Sequence, residues 1–334
     1  MKAIVYTKYG TPDVLQLKEV EKPTPKDSEV LVKVHAASIN SWDWDLLRGT
    51  PFVNRLMCGV LKPKRITILG CDIAGRIQAV GKKVTQFQPG DEVFGDLSRS
   101  RWGGFAEYVC ARENALALKP TSMTFKQAAA IPQAALLALQ GLIQGHIQQG
   151  QIKAGQKILI NGASGGVGSF AVPMAKLLRV EVTGVCSTKK MDFVRSLGAD
   201  HVIDYTQQDF TKNGKCYDLI LDVQGYHSIF DYKRALSPRG IYVMVGGCTT
   251  LVNQIMLLGP FISITGGKKM GLLLHKANKG LDHMIELFEA GKVAPYIDKC
   301  FPLTESAEAM RYFGEGHAKG IQDATCHLLR VTSR

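Results

Sequence analysis

Acidic residues are in short supply: Asp and Glu number 29 against 41 Lys and Arg in 334 residues, a formal net charge of +12. Such a balance favours anionic small molecules or anionic lipid headgroups through long-range steering. No run of five basic residues occurs, only the small groups Lys62/Lys64/Arg65, Arg99/Arg101, Lys189/Lys190 and Lys268/Lys269. With no nucleic-acid motif beside them they read as solvated faces, which argues against a specific nucleic-acid partner. The cysteines at 58, 71, 110, 186, 216, 248, 300 and 326 form no Cys-x-x-Cys pair and never stand beside a His at ligand spacing. They read as reduced thiols, mostly buried. The longest apolar stretch, Leu251 to Gly267, is interrupted by Asn253, Gln254 and Pro260 and is too broken to span a bilayer. Met1 to Tyr6 reads straight into a strand, without the basic start and long apolar stretch of a secretory leader. The expected location is cytoplasmic, with peripheral association on an anionic membrane as an open alternative.

What is present is globular: 46% hydrophobic and 21% charged residues suit one or two full-sized cores. Up to about residue 125 short strands alternate with turn residues, as in Glu29 to His35, Cys71 to Val80 and Ala106 to Ala111, which predicts a compact β-barrel. From 126 the pattern changes to helices alternating with fully apolar strands, as in parallel α/β sheets. Six strands are expected at Lys157 to Asn161, Glu181 to Cys186, His201 to Ile203, Tyr217 to Asp222, Gly240 to Gly246 and Phe261 to Thr265. With crossover helices between them they match a doubly wound dinucleotide fold. The expected division is 1–125, completed by 291–334, and 126–290.

Lys157 to Asn161 runs directly into Gly162-Ala163-Ser164-Gly165-Gly166-Val167-Gly168 and then an apolar helix. Strand, glycine loop and helix in that order make a phosphate cradle, because glycine lets backbone approach a pyrophosphate and the helix start offers free N–H groups. An NAD site would carry Asp or Glu at the end of the second strand to accept from the ribose 2′-OH. That position reads Cys186-Ser187-Thr188-Lys189-Lys190. Hydroxyls and ammonium groups suit a 2′-phosphate, so NADPH is the expected cofactor.

Histidines are scattered, and no three or four ligands assemble at zinc spacing. A reductase without a Lewis acid requires an electron-poor substrate, which enones, enals and quinones satisfy.

At this point the chain resembles the zinc-independent quinone oxidoreductase branch of the medium-chain dehydrogenase/reductase superfamily. The resemblance rests on Ser38 to Trp44 with Arg48-Gly49, Gly70 to Val80, Pro89-Gly90-Asp91 with Val93, and Gly103-Gly104 with Ala106-Glu107-Tyr108. It continues through Ala128 to Gln140, Ala163 to Gly168, and Leu197 to Asp200 with Asp204-Tyr205. It implies a GroES-like substrate domain beside a Rossmann domain, a homodimer, and Cys71-Asp72 standing where zinc relatives carry a His-Glu ligand pair. By the same resemblance Ser164, Gly165, Gly166 and Val167 hold the pyrophosphate, Ser187, Lys190 and Tyr205 the 2′-phosphate, and Gly246 and Gly247 lie along the nicotinamide ribose. Asn40 and Trp44 face nicotinamide and substrate, with Asp43 and Arg48 bracing their loop. Three departures stand out: Ser41 replaces a Pro and leaves the loop less fixed, Leu137 replaces a Thr, and the tail from Gly320 lacks the usual final strand.

The expected activity is hydride transfer from NADPH to a quinone or to an enone or enal, two substrate classes the sequence does not separate. Hydrogen bonds from Asn40 and the cofactor ribose are expected at the developing oxyanion. The rival reading from another class is an NADPH-binding protein with an RNA-binding, sensing or structural role.

Overall fold

The structure, a computed structural model, describes residues 1–147 and 153–323. Its described residues divide into two compact units: 1–133, 277–285 and 297–323 form one, and 134–147 and 153–276 with 286–296 form the other. The first boundary lies later than the change of pattern at 125, and a second excursion at 277–285 returns to the first unit before 290.

In the first unit β1 (Lys2–Val5) pairs antiparallel with β2 (Gln16–Glu19). The main sheet is built on β3 (Glu29–Ile39), followed by α1 (Ser41–Arg48) and α2 (Phe52–Cys58), then β4 (Asp72–Val80), β5 (Glu92–Asp96), β6 (Tyr108–Arg112), β7 (Ala117–Leu118) and α3 (Phe125–Ala129). β3 pairs antiparallel with both β4 and β6. Its apolar residues Val30, Val32 and Val34 feed one core with Ile73, Val93, Phe105 and Val109. The expected barrel is a seven-stranded sheet whose ladder runs as an open path, with β6 branching from β3.

The second unit holds α4 (Pro132–Ile147) from Ala134 onward, then β8 (Lys157–Asn161), α5 (Gly166–Leu177), β9 (Glu181–Cys186), α6 (Met191–Ser196), β10 (His201–Asp204), β11 (Tyr217–Asp222), α7 (Ile229–Ala235), β12 (Leu236–Met244), α8 (Thr249–Thr265) and β13 (Lys269–Leu272). Its six strands lie in the order β10-β9-β8-β11-β12-β13, and every adjacent pair is parallel. The chain winds outward from β8 and then crosses back to β11. The strand order therefore reverses between β8 and β11, where open α/β sheets form their ligand crevice.

Phe261 to Thr265 is not the sixth strand; it is the last part of α8, and the strand is Lys269–Leu272. Leu251, Ile255 and Ile262 of α8 are buried at helical spacing, while Met256, Leu257, Phe261 and Ile264 are exposed. A segment apolar on every side carries no period, so its β-branched residues misdirected the expectation.

The remaining elements are α9 (Leu281–Glu289), β14 (Ile297–Cys300), α10 (Ser306–Gly314) and β15 (Ile321–Asp323). β15 pairs with β14 and with the end of β3, so a short final strand forms despite the atypical tail. The cysteines are less buried than expected: Cys58, Cys71 and Cys186 are buried, Cys110 is half-buried, and Cys216, Cys248 and Cys300 are exposed. Cys326 and the tail beyond 323 lie outside the described residues. Among the described residues no helix is long and apolar enough to cross a membrane.

Candidate functional site

At the C-terminal end of β8 the backbone turns sharply through Gly162, whose φ of +83° favours glycine. The N–H groups of Gly162 and Ala163 donate to Val185 O at 3.2 and 3.0 Å, which ties the turn to β9. Gly168 lets α5 lie directly on this turn: a Cβ there would sit 2.5 Å from Ala163 Cα. Gly165 is different. It has an extended backbone open to any residue (φ −87°, ψ −176°), and a Cβ would meet only Gly162 O, at 3.6 Å. The protein's own packing gives no reason for glycine here, whereas a pyrophosphate lying on the start of α5 does. The first N–H groups of α5, from Gly166 and Val167, have no carbonyl one turn back and are available to such an anion.

Ser187 and Tyr205 follow the ends of neighbouring strands β9 and β10, with Tyr205 N–H donating to Cys186 O at 3.1 Å. Lys190 closes the short turn after Ser187, its N–H donating to Ser187 O at 2.9 Å. Sequence reasoning missed Asp204, which the parallel register sets beside Cys186. Thr188 Oγ1 donates to one of its oxygens, while Thr206 N–H and Oγ1 donate to the other at 2.9 and 2.8 Å. Hydrogen bonding by Thr188, then by Thr206, holds this carboxyl below the usual carboxylate range. Both oxygens are thus engaged in shaping the turn. The expectation of no carboxylate holds at the end of β9 itself but not in space.

Across the switch point, buried Asp222 ends β11. Asn161 Nδ2 donates to it at 2.8 Å and Tyr242 Oη at 2.6 Å. Burial raises its pKa against the opposing effect of these donors. Gly246 and Gly247 follow β12 at the same edge. A Cβ on Gly247 would lie 2.5 Å from Gly225 O, so this glycine is needed to seat the turn after β12 on the turn after β11.

In the first unit Asn40 caps the start of α1. Its N–H donates to Asp43 Oδ2 at 2.9 Å, and Gly70 N–H donates to Asp43 Oδ1 at 2.7 Å. Asp43 therefore braces the loop in which Ser41 stands in place of a Pro. Burial, opposed by these two bonds, pushes the Asp43 carboxyl up to about 7. Asn40 Nδ2 faces Asp72 Oδ2 at 3.1 Å, Ser38 Oγ at 3.2 Å and Cys71 Sγ at 3.6 Å. Its two hydrogens are committed inward, which leaves none for a developing oxyanion and corrects that expectation. Trp44 is half-buried, with the Arg48 guanidinium 5.4 Å from its ring centroid. A Cβ on Gly314 would collide with its indole, so Trp44 seats α10.

The fold does gather possible metal ligands that spacing did not reveal: atoms of Cys71, Asp72 and Asp96 lie within 4.8 Å of one another, all buried. They do not fit zinc. Amide N–H donors already address the ligating atoms, Gln133 N at 2.9 Å from Asp72 Oδ2 and Gln133 Nε2 at 3.6 Å from Cys71 Sγ, besides Asn40. A cation there would meet the positive ends of those dipoles, and no histidine joins the set. Burial first, and then the charge of Asp96, raises Asp72 well above the carboxylate range.

Family models for the alcohol dehydrogenase GroES-like domain and the zinc-binding dehydrogenase match residues 26–121 and 197–320. The chain is 34% identical to a chloroplastic quinone-oxidoreductase homolog of Spinacia oleracea, over 96% of this chain and 97% of that protein. It is 32% identical to an NADPH-dependent alkenal/one oxidoreductase of Arabidopsis thaliana, over 96% and 78% of the two chains. Among solved structures, the quinone oxidoreductase from Coxiella burnetii superposes with a TM-score of 0.85 at 30% identity, covering 97% of this chain and 98% of that one.

Proposed function

The chain belongs to the medium-chain dehydrogenase/reductase superfamily, and from that premise we propose that it is a metal-independent reductase using NADPH against a quinone or an α,β-unsaturated carbonyl. The observation that carries the reading is Gly165, a glycine that nothing in the fold requires, on the cradle at the sheet's switch point. The named activities of the Spinacia and Arabidopsis relatives supply the substrate classes. NADPH, when bound, supplies a hydride that with one proton from solvent reduces an enone to the saturated carbonyl or a quinone to the hydroquinone.

In this reading Ser164, Gly165, Gly166 and Val167 bind the pyrophosphate, the N–H groups of Gly166 and Val167 as donors and Gly165 by leaving the approach clear, since its own N–H donates to Gly162 O. Ser187, Lys190 and Tyr205 receive the 2′-phosphate, while Asp204 has both oxygens tied into the turn by Thr188 and Thr206. Gly246 and Gly247, seated against the turn after β11, lie along the nicotinamide ribose. In the first unit Asn40 and Trp44 are the groups assigned to the substrate side, Asn40 as a fixed wall and not as a donor, since its amide hydrogens point to Ser38, Cys71 and Asp72. A homodimer, checked by light scattering, completes the reading.

Calorimetry with NADPH and NADH tests the cofactor. NADPH is expected to bind at least about tenfold more tightly, and Lys190→Glu to abolish that preference, the value of one charge-assisted bond. Equal affinities would remove the phosphate assignment. Stopped-flow oxidation of bound NADPH by enals, enones and quinones, run with a zinc chelator, tests the chemistry. No acceleration by any of them would return the protein to the rival binding role, and loss of rate on chelation would overturn metal independence.

A further inference from the structure

Between Leu46 and Cys71 the chain carries Arg48, Arg55, Lys62, Lys64 and Arg65 and no acidic residue. Within that stretch α2 turns Asn54 and Cys58 inward and leaves Phe52, Val53, Leu56 and Met57 exposed, at i, i+1, i+4 and i+5 on one face. Val60 and Leu61 continue the apolar surface, Leu61 with 91% of its area in solvent. Lys62, Lys64 and Arg65 are exposed immediately beside it.

The protrusion is built. Lys64 and Arg65 N–H groups both donate to Cys58 O at 2.9 and 3.0 Å, closing the turn after α2. Tyr9 Oη donates to Gly59 O at 2.6 Å, and Arg55 Nε to Gly49 O at 3.1 Å. The apolar tips are therefore held outward before any partner arrives, which spares the ordering entropy of docking. Exposed clusters of large apolar side chains mark interaction sites.

We propose that α2 and the turn through Arg65 dock on an anionic lipid bilayer. Charge complementarity selects that occupant: every charge from Arg48 to Arg65 is positive, with no carboxylate to pair a mixed protein surface. The apolar tips enter the boundary between headgroups and acyl chains while the cations meet anionic headgroups. The contact is small, so attachment is reversible.

The test is co-sedimentation of the full chain with phosphatidylserine–phosphatidylcholine vesicles and with pure phosphatidylcholine vesicles. Binding is expected to the first only, and to weaken as salt rises. The triple variant Lys62→Glu, Lys64→Glu, Arg65→Glu is expected to lower partitioning roughly a hundredfold, at about fivefold per charge. Leu61→Asp is expected to lower it by at least roughly tenfold through lost apolar burial. Unchanged melting temperatures of both variants establish that the fold is intact. No sedimentation at low salt, equal binding to neutral vesicles, or folded variants that bind like the parent would overturn the proposal. Both variants lie outside the dinucleotide cradle, so this outcome is independent of the cofactor reading.

Discussion

Asp43 is the residue whose titration bears most directly on stability. Its two oxygens join the start of α1 to Gly70, 27 residues further on. The carboxyl rises from 3.8 to about 7 on folding, because burial outweighs the two bonds. Between those values the folded chain holds a proton that the unfolded chain has lost, so stability falls as pH rises through the window and is flat above it. Relative to Asp43→Asn, the wild type is expected to lose about 1.4 kcal/mol per pH unit across that range, read from urea titrations at several pH values. A difference that is flat or of opposite slope would contradict the assignment. The bracing role was legible in the sequence through the resemblance alone. The partner Gly70 was not, nor the approach of Cys71, Asp72 and Asp96, since long-range contacts leave no local pattern.

At the scale of the element, β8, its turn and α5 were readable because each part obeys a local rule: an apolar strand, then glycines, then a helical run. Gly165 and Gly168 nevertheless do different work, and substitution separates them. Gly168→Ala drives a methyl into the turn at Ala163 and is expected to destabilise by about 1–3 kcal/mol, as overpacking does, measured by denaturant unfolding. Gly165→Ala fits the folded backbone and is expected to change stability by less than about 1 kcal/mol. Its methyl stands where the pyrophosphate would lie, so dinucleotide affinity measured by calorimetry is expected to fall at least about tenfold, equivalent to one lost bond. Retained affinity would move the ligand elsewhere. The sixth strand was illegible for the opposite reason. Lys269 to Leu272 has little strand character of its own, and it is recruited by β12 and α8, whose Gly259 leaves room for Met270 O.

At the scale of the molecule, the change from alternating short strands to apolar strands with helices announced two units. The returns of 277–285 and of β14 to β15 to the first unit depend on pairings that only the assembled sheet supplies. That arrangement has a consequence for synthesis on the ribosome. The middle unit has emerged in full once residue 296 is out, whereas the opening unit waits for β15 to reach β3 and for α10 to settle on Trp44. In nascent chains stalled with residue 300 just outside the exit tunnel, the middle of the chain is expected to resist protease while the amino-terminal third remains cleavable. Equal protection of both would show that β3 matures without its last neighbour. The protein's beginning is thus finished by its end, and the dinucleotide half is the first to be born complete.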